Sequence, residues 1–145
     1  MEENHILIAM VEDRPGVLQR IAGLFRKRNF NIDSITVGHS EKPGISRITL
    51  TVTGDLVILE QVMKQLNKIV EVLKVIELYK DNSVLRELAL IKIKIENEAN
   101  RSEIVSYINI FRGRIIDVSN NLITVEITGD SSKVEAFINI VGSDK

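Results

Sequence analysis

Cysteine and tryptophan are absent from the 145 residues, and the chain has only two prolines and two histidines. Without cysteine there is no disulfide, no thiolate metal site and no cysteine nucleophile, and the absence fits a reducing compartment. His5 and His39 are the whole imidazole inventory. With no HExxH, no histidine pair at helical spacing and no acidic cluster, the sequence offers no metal ligand set. His39 next to Ser40 lacks the third group that would orient an activated nucleophile, so it reads as a solvated loop histidine. No glycine-rich phosphate cradle exists; Arg112-Gly113 is a turn. These gaps together argue against an enzyme. A formal net charge of −1 favours no polyanion over the whole surface. No apolar run approaches the ~20 residues that span a bilayer. Met1-Glu2-Glu3-Asn4 is acidic and lacks the apolar stretch of a signal peptide. A soluble, cytoplasmic protein is the expectation.

What is present is a repeated order of short elements. Ile6 to Val11 is an unbroken apolar run that reads as a strand. Val17, Leu18, Ile21, Leu24 and Phe25 then mark one face of a helix reaching about Asn29, with Gln19, Arg20, Arg26, Lys27 and Arg28 opposite. Asn31 to Gly38 reads as a strand with Ile35 and Val37 on one side. His39 to Gly44 is a loop. Arg47 to Thr53 alternates, with Ile48, Leu50 and Val52 inward. Asp55 is placed to cap a helix carrying Ile58, Leu59, Val62, Leu66 and Ile69. Val70 to Leu78 is the fourth strand. This βαββαβ order predicts an α+β, ferredoxin-like unit over residues 1–80.

After Lys80-Asp81-Asn82-Ser83 the order starts again. Ile91, Ile93 and Ile95 alternate with Lys92, Lys94 and Glu96. Ile104, Val105, Ile108 and Phe111 form a helical stripe. Ile115–Val118 and Leu122–Thr128 are strands joined across Ser119-Asn120-Asn121. Val134, Phe137, Ile138 and Val141 mark a last helix. Thr-Gly-Asp stands at the same point of both halves, Thr53–Asp55 and Thr128–Asp130, as an internal repeat would have it. The second unit, residues 84–145, lacks residues for its last strand. Either the chain is shortened or a partner supplies that edge.

Nucleic acid is a natural thought for this element order, because the RNA-recognition module shares it. That module stacks bases on aromatic residues of its first and third strands. Those strands have no aromatic residue here, and Arg26-Lys27-Arg28 reads as cations at a helix C-terminus. The turn Asp13-Arg14-Pro15-Gly16 remains. It is either an ordinary strand-to-helix connection, with Pro15 at the first helical position, or a site for a zwitterion. In the second reading the amides near Gly16 to Leu18 take a carboxylate. Asp13 lies close enough for an ammonium, and Asn31 offers both a donor and an acceptor. Val17, Ile32 and Ile35 line a small apolar pocket for a modest aliphatic side chain.

Asp13-Arg14-Pro15-Gly16-Val17-Leu18, Gly23-Leu24-Phe25 and Asn31-Ile32-Asp33-Ser34-Ile35-Thr36-Val37 resemble the ACT domain of the small regulatory subunit of acetolactate synthase. Phe111-Arg112-Gly113-Arg114-Ile115-Ile116-Asp117-Val118, with Arg86-Glu87-Leu88, resembles that subunit's second domain. The resemblance implies a non-catalytic subunit. It would activate a separate catalytic subunit that uses thiamine diphosphate, Mg²⁺ and FAD, and confer feedback inhibition by valine. It also implies a homodimer through ACT domains. The effector would lie between Asp13, Gly16, Val17 and Leu18 of one copy and Asn31, Ile32 and Ile35 of the other. Asp13 stands where family members often have Asn, which keeps an acceptor and adds charge. The matching place in the second half reads Asn97-Glu98-Ala99-Asn100, so effector binding is expected of the first half alone. The alternative reading is a free-standing ACT-type amino-acid sensor with no acetolactate synthase partner.

Overall fold

A computed structural model describes residues 3–28 and 31–142. The chain divides into two compact units, Met1–Ser83 and Val84–Lys145. The first runs β1 (Glu3–Glu12), α1 (Val17–Arg28), β2 (Ser34–His39), β3 (Ile45–Gly54), α2 (Leu56–Leu66) and β4 (Val72–Leu78). Its strands form one sheet in the order β2-β3-β1-β4, antiparallel throughout. The second runs β5 (Glu87–Lys94), α3 (Glu98–Ile110), β6 (Arg114–Val118), β7 (Leu122–Gly129) and α4 (Ser131–Gly142), with a sheet in the order β5-β7-β6. Both units are α+β and ferredoxin-like. Among the described residues the second unit has no counterpart of β4.

The alternation written in the strands decides what each buries. In β1 and β3, Leu7, Ala9, Val11, Ile48, Leu50 and Val52 face the helices and are buried. Val17, Ile21 and Phe25 of α1 and Leu59, Val62 and Leu66 of α2 close over them. Each such side chain contributes about 1.5–3 kcal/mol on leaving water. The second unit repeats the plan with Ile93, Ile95, Ile123, Val125 and Ile127 under Ile104, Ile108, Val134 and Phe137. Phe111 meets Phe137 edge-on, centroids 5.4 Å apart. The Thr-Gly-Asp corners behave alike. The Ile58 amide donates to Asp55 Oδ1 at 2.9 Å and the Lys133 amide to Asp130 Oδ1 at 2.9 Å.

Several elements depart from what the sequence pattern predicts. Helix α1 begins at Val17, so Pro15 lies in the turn before it and is not the first helical residue. The expected end near Asn29, like Phe30, lies outside the described residues. Strand β2 begins at Ser34, not Asn31, because sheet pairing starts with the Asp33 amide on the Thr51 carbonyl. Ile35 and Val37 share the core-facing side with Leu50 and Ile48 yet remain 42% and 45% exposed, since β2 is an edge strand. Strand β4 begins at Val72; Val70 precedes it and is exposed. Ile138, expected in the last helical stripe, is exposed on α4.

Candidate functional site

The first turn is built by three backbone constraints. The Asp13 amide donates to the Gly44 carbonyl at 2.9 Å, which ties the end of β1 to the β2–β3 turn. The Arg14 amide donates to the Glu12 carbonyl at 2.9 Å. Gly16 then takes φ +88°, the left-handed region that glycine enters without the strain a Cβ brings. From there the helix runs, with the Arg20 amide on the Gly16 carbonyl at 3.0 Å. Gly16 thus occupies the capping position of α1, and it has no side chain with which to cap. The first turn of α1 holds no acidic residue. Among the described residues no side chain accepts from the Gly16, Val17 or Leu18 amides, and the Val17 amide makes only a long 3.4 Å bond to the Arg14 carbonyl. An open, electropositive helix end of this kind accepts a carboxylate.

The predicted site residues fall into two groups. Asp13, Gly16, Val17 and Leu18 lie together around the turn. Asp13 and Gly16 are exposed, and Leu18 is 46% exposed. Val17 is 4% exposed; its amide lies at the turn while its side chain packs with the core. Asn31, Ile32 and Ile35 lie at the start of β2. Asn31 is exposed and donates from Nδ2 to Asp33 Oδ1 at 3.2 Å. Ile32 is half-buried against the core, and Ile35 is exposed.

Within one copy the groups do not converge. The register pairs Ser34 with Thr51 and His39 with Ser46, and Thr51 and Ser46 pair with Ile6 and Val11 of β1. Asn31 therefore sits at the end of the sheet where β1 begins, and Asp13 at the end where β1 finishes. The length of β2 between them is roughly 17 Å at about 3.4 Å per residue.

One residue at the turn escaped sequence reasoning. His39 ends β2, and its Nδ1 lies 3.1 Å from Asp13 Oδ2. Nothing local marks this pairing; it follows from the β2–β3 turn folding back onto the end of β1. Two shallow cavities lie elsewhere. One of about 360 Å³ is lined by Arg20, Gly23, Leu24, Lys27 and Gln65. Another of about 450 Å³ lies along β5, with Ile91, Ile93, Ile104, Ile138 and Val141 in its lining. Among the described residues no group of three or more His, Asp or Glu is arranged to hold a metal. No described helix is long and apolar enough to cross a membrane.

The ferredoxin-like first unit, with its glycine turn between the central strand β1 and helix α1, is a domain of the ACT class. Residues 7–74 match the family described as AHAS small subunit-like ACT domain, and residues 86–143 match the small subunit of acetolactate synthase. A probable acetolactate synthase small subunit from Methanothermobacter thermautotrophicus is 54% identical over 139 residues, 96% of this chain and 83% of that one. The counterpart from Archaeoglobus fulgidus is 51% identical over 137 residues, 94% of this chain and 85% of that one. The crystal structure of the acetolactate synthase small subunit from Thermotoga maritima superposes with a TM-score of 0.91 at 46% identity, covering 99% of this chain and 89% of that one. The chain belongs to the acetolactate synthase small-subunit family, and the role that follows is regulatory.

Proposed function

We propose that this chain is the non-catalytic regulatory subunit of an acetolactate synthase. It activates a cytoplasmic catalytic subunit, whose cofactors are thiamine diphosphate, Mg²⁺ and FAD, and makes it sensitive to valine. The observation that carries the reading is the uncapped amide end of α1 beside Asp13. That turn presents donors for a carboxylate and an anion for an ammonium, the two charged ends of a free amino acid.

The separation of the two residue groups supports a homodimer. Strand β2 is a sheet edge with all six residues exposed, and an exposed edge is a template for pairing. If two copies pair antiparallel along β2, the start of one β2 lies opposite the end of the other. Asn31, Ile32 and Ile35 of one copy then face Asp13, Gly16 and Leu18 of the next, and each site takes half its wall from either molecule. Ligand binding at that seam favours one dimer arrangement over others, and the catalytic subunit responds to the arrangement. The ligand moves this equilibrium only as far as it binds one arrangement more tightly.

Two measurements test the reading. The cognate catalytic subunit should form acetolactate faster when this chain is added, and valine should reverse the gain. Calorimetric titration of the chain with valine, leucine and isoleucine should give heat for at least one of them. An unchanged rate together with no heat from any of the three would overturn the proposal. Heat without any change in rate would instead favour a free-standing amino-acid sensor.

A further inference from the structure

The Asp13–His39 pair adds a level of control to this turn. Asp13 Oδ2 lies 3.1 Å from His39 Nδ1, so the carboxylate that the effector's ammonium would use already has a basic neighbour. The Asp13 backbone is held by its bond to the Gly44 carbonyl, whereas the His39 ring stands 87% exposed. The backbone that carries the carboxylate is thus held in place, and the ring beside it stands in solvent. The other charged groups at this end of the sheet are largely engaged with one another. Arg14 Nε lies 3.0 Å from Glu12 Oε2, and an Arg47 guanidinium nitrogen lies 3.1 Å from Glu41 Oε2. Lys42 in the β2–β3 turn is a further cation.

We propose that His39 makes effector binding pH-dependent by competing with the ligand's ammonium for Asp13. This rests on the reading of the turn as an amino-acid site. When the imidazole is protonated, the Asp13–His39 pair is neutral overall and an arriving ammonium gains little. When the imidazole is neutral, the carboxylate is left for the ligand. Imidazole is the side chain that ordinarily changes charge between pH 5 and 8, while a free amino acid stays zwitterionic across that range. The ligand's own charge therefore does not supply the dependence. Two unit charges about 4 Å apart in a water-like medium interact by about 1 kcal/mol, which corresponds to about fivefold in affinity.

The test is calorimetric titration with L-valine, or with whichever of leucine and isoleucine binds more tightly, at pH 5.5 and 8.0 and constant salt. The full chain and two variants, His39→Gln and His39→Lys, are compared. The wild-type chain should bind about fivefold more weakly at pH 5.5. His39→Gln should hold the pH 8.0 affinity at both values, and His39→Lys, a permanent cation, should hold the lower affinity at both. Because the ring is exposed, the variants should melt within a degree or two of the wild type. A wild-type affinity that does not change with pH, or a slope that survives in His39→Gln, would overturn the inference and leave the site in place. Failure of the wild-type chain to bind any of the three at either pH would remove the site and this inference with it.

Discussion

The two units start their first helices at the same point of the same fold, and they finish those helix ends in opposite ways. In the first unit Gly16 caps α1 with backbone alone, at φ +88°. In the second, Asn97 caps α3 with its own side chain, its Oδ1 accepting from the Asn100 amide at 2.9 Å. Asn100 Oδ1 in turn accepts from the Glu96 amide at 3.3 Å. Glu98 adds a negative charge to the first turn of α3. The chain seals one helix end for stability, as a polar cap does, and leaves the other open. The contrast lies in what is omitted: without a capping side chain the α1 end keeps its amides open, which is the feature the proposed site depends on. A free carboxylate arriving at α3 meets an amide already taken and a like charge beside it.

The sharpest way to break this comparison is to close the open end. Gly16→Asp puts a carboxylate at the capping position of α1 and a Cβ on a backbone in the left-handed region. No heavy atom lies within 4 Å of that Cβ, so the steric effect is confined to the φ strain of about 1–2 kcal/mol. The charge acts on the ligand. Like charges about 4 Å apart repel by about 1 kcal/mol in water and about 4 kcal/mol where the medium is less polar. Amino-acid affinity should fall at least about fivefold in calorimetry. Ala99→Asp on the corresponding turn of the second unit should leave affinity unchanged. Equal losses from both would mean that the helix end of the first unit is not the site.

The units also differ in how their cores are fastened. His5 and Ser46 are the buried polar residues among those described, and both belong to the first unit. His5 Nδ1 lies 3.0 Å from Glu77 Oε1, and Nε2 lies 3.2 Å from the Gly54 carbonyl. One ring thus links the beginning of β1 to the end of β3 and to β4. Tyr79 joins the same cluster: hydrogen bonding to Glu77, and then that residue's charge, push the phenol above its usual range. His5→Ala removes both bonds and leaves the Glu77 carboxylate, 15% exposed, with Tyr79 in place of two partners. A loss of about 2 kcal/mol is expected, since a part-buried polar group that loses a partner costs about 1–3 kcal/mol. Urea unfolding checks it. A change below about 0.5 kcal/mol would show that the cluster holds nothing together.

Much of this was legible from residue order. The alternation of Ile48, Leu50 and Val52 named the buried face of β3, and Val17, Ile21 and Phe25 named that of α1, because periods of two and 3.6 are local properties. Thr-Gly-Asp marked both corners for the same reason. Periodicity says which side of a strand an apolar residue takes; it does not say whether the strand is central or at the edge. Residue order put Ile35 and Val37 on one side of a strand, and the edge position of β2 keeps that side half in water. The site was less legible than the fold. The open turn followed from Pro15 and Gly16 as residue types, whereas the Asp13–His39 contact depends on a hairpin folding back, which no local pattern encodes.

The smallest predicted effects lie at those Thr-Gly-Asp corners, where the two units agree. Glycine is needed there for closeness: a Cβ on Gly54 would come within 2.8 Å of Ile58, and one on Gly129 would press on Lys133. Asp55→Ala should destabilise the chain by about 1 kcal/mol, the usual loss of a helix cap. At the second corner the cap also carries a pH signature. The Lys133 amide, and then the Ser132 hydroxyl, hold the Asp130 carboxyl below its ordinary range. A group depressed by folding stabilises above its unfolded value, near 3.9 for aspartate, and that contribution is lost as the pH falls through the lower folded value. The gap in stability between wild type and Asp130→Ala should therefore be constant from pH 7 to about pH 5 and shrink toward pH 3. Asn97→Ala, which removes an uncharged cap from the same unit, should show a gap that does not depend on pH. Denaturant titrations at pH 7, 5 and 3 measure both. An Asp130→Ala gap that persists unchanged at pH 3 would mean that the carboxylate's charge contributes nothing to this corner.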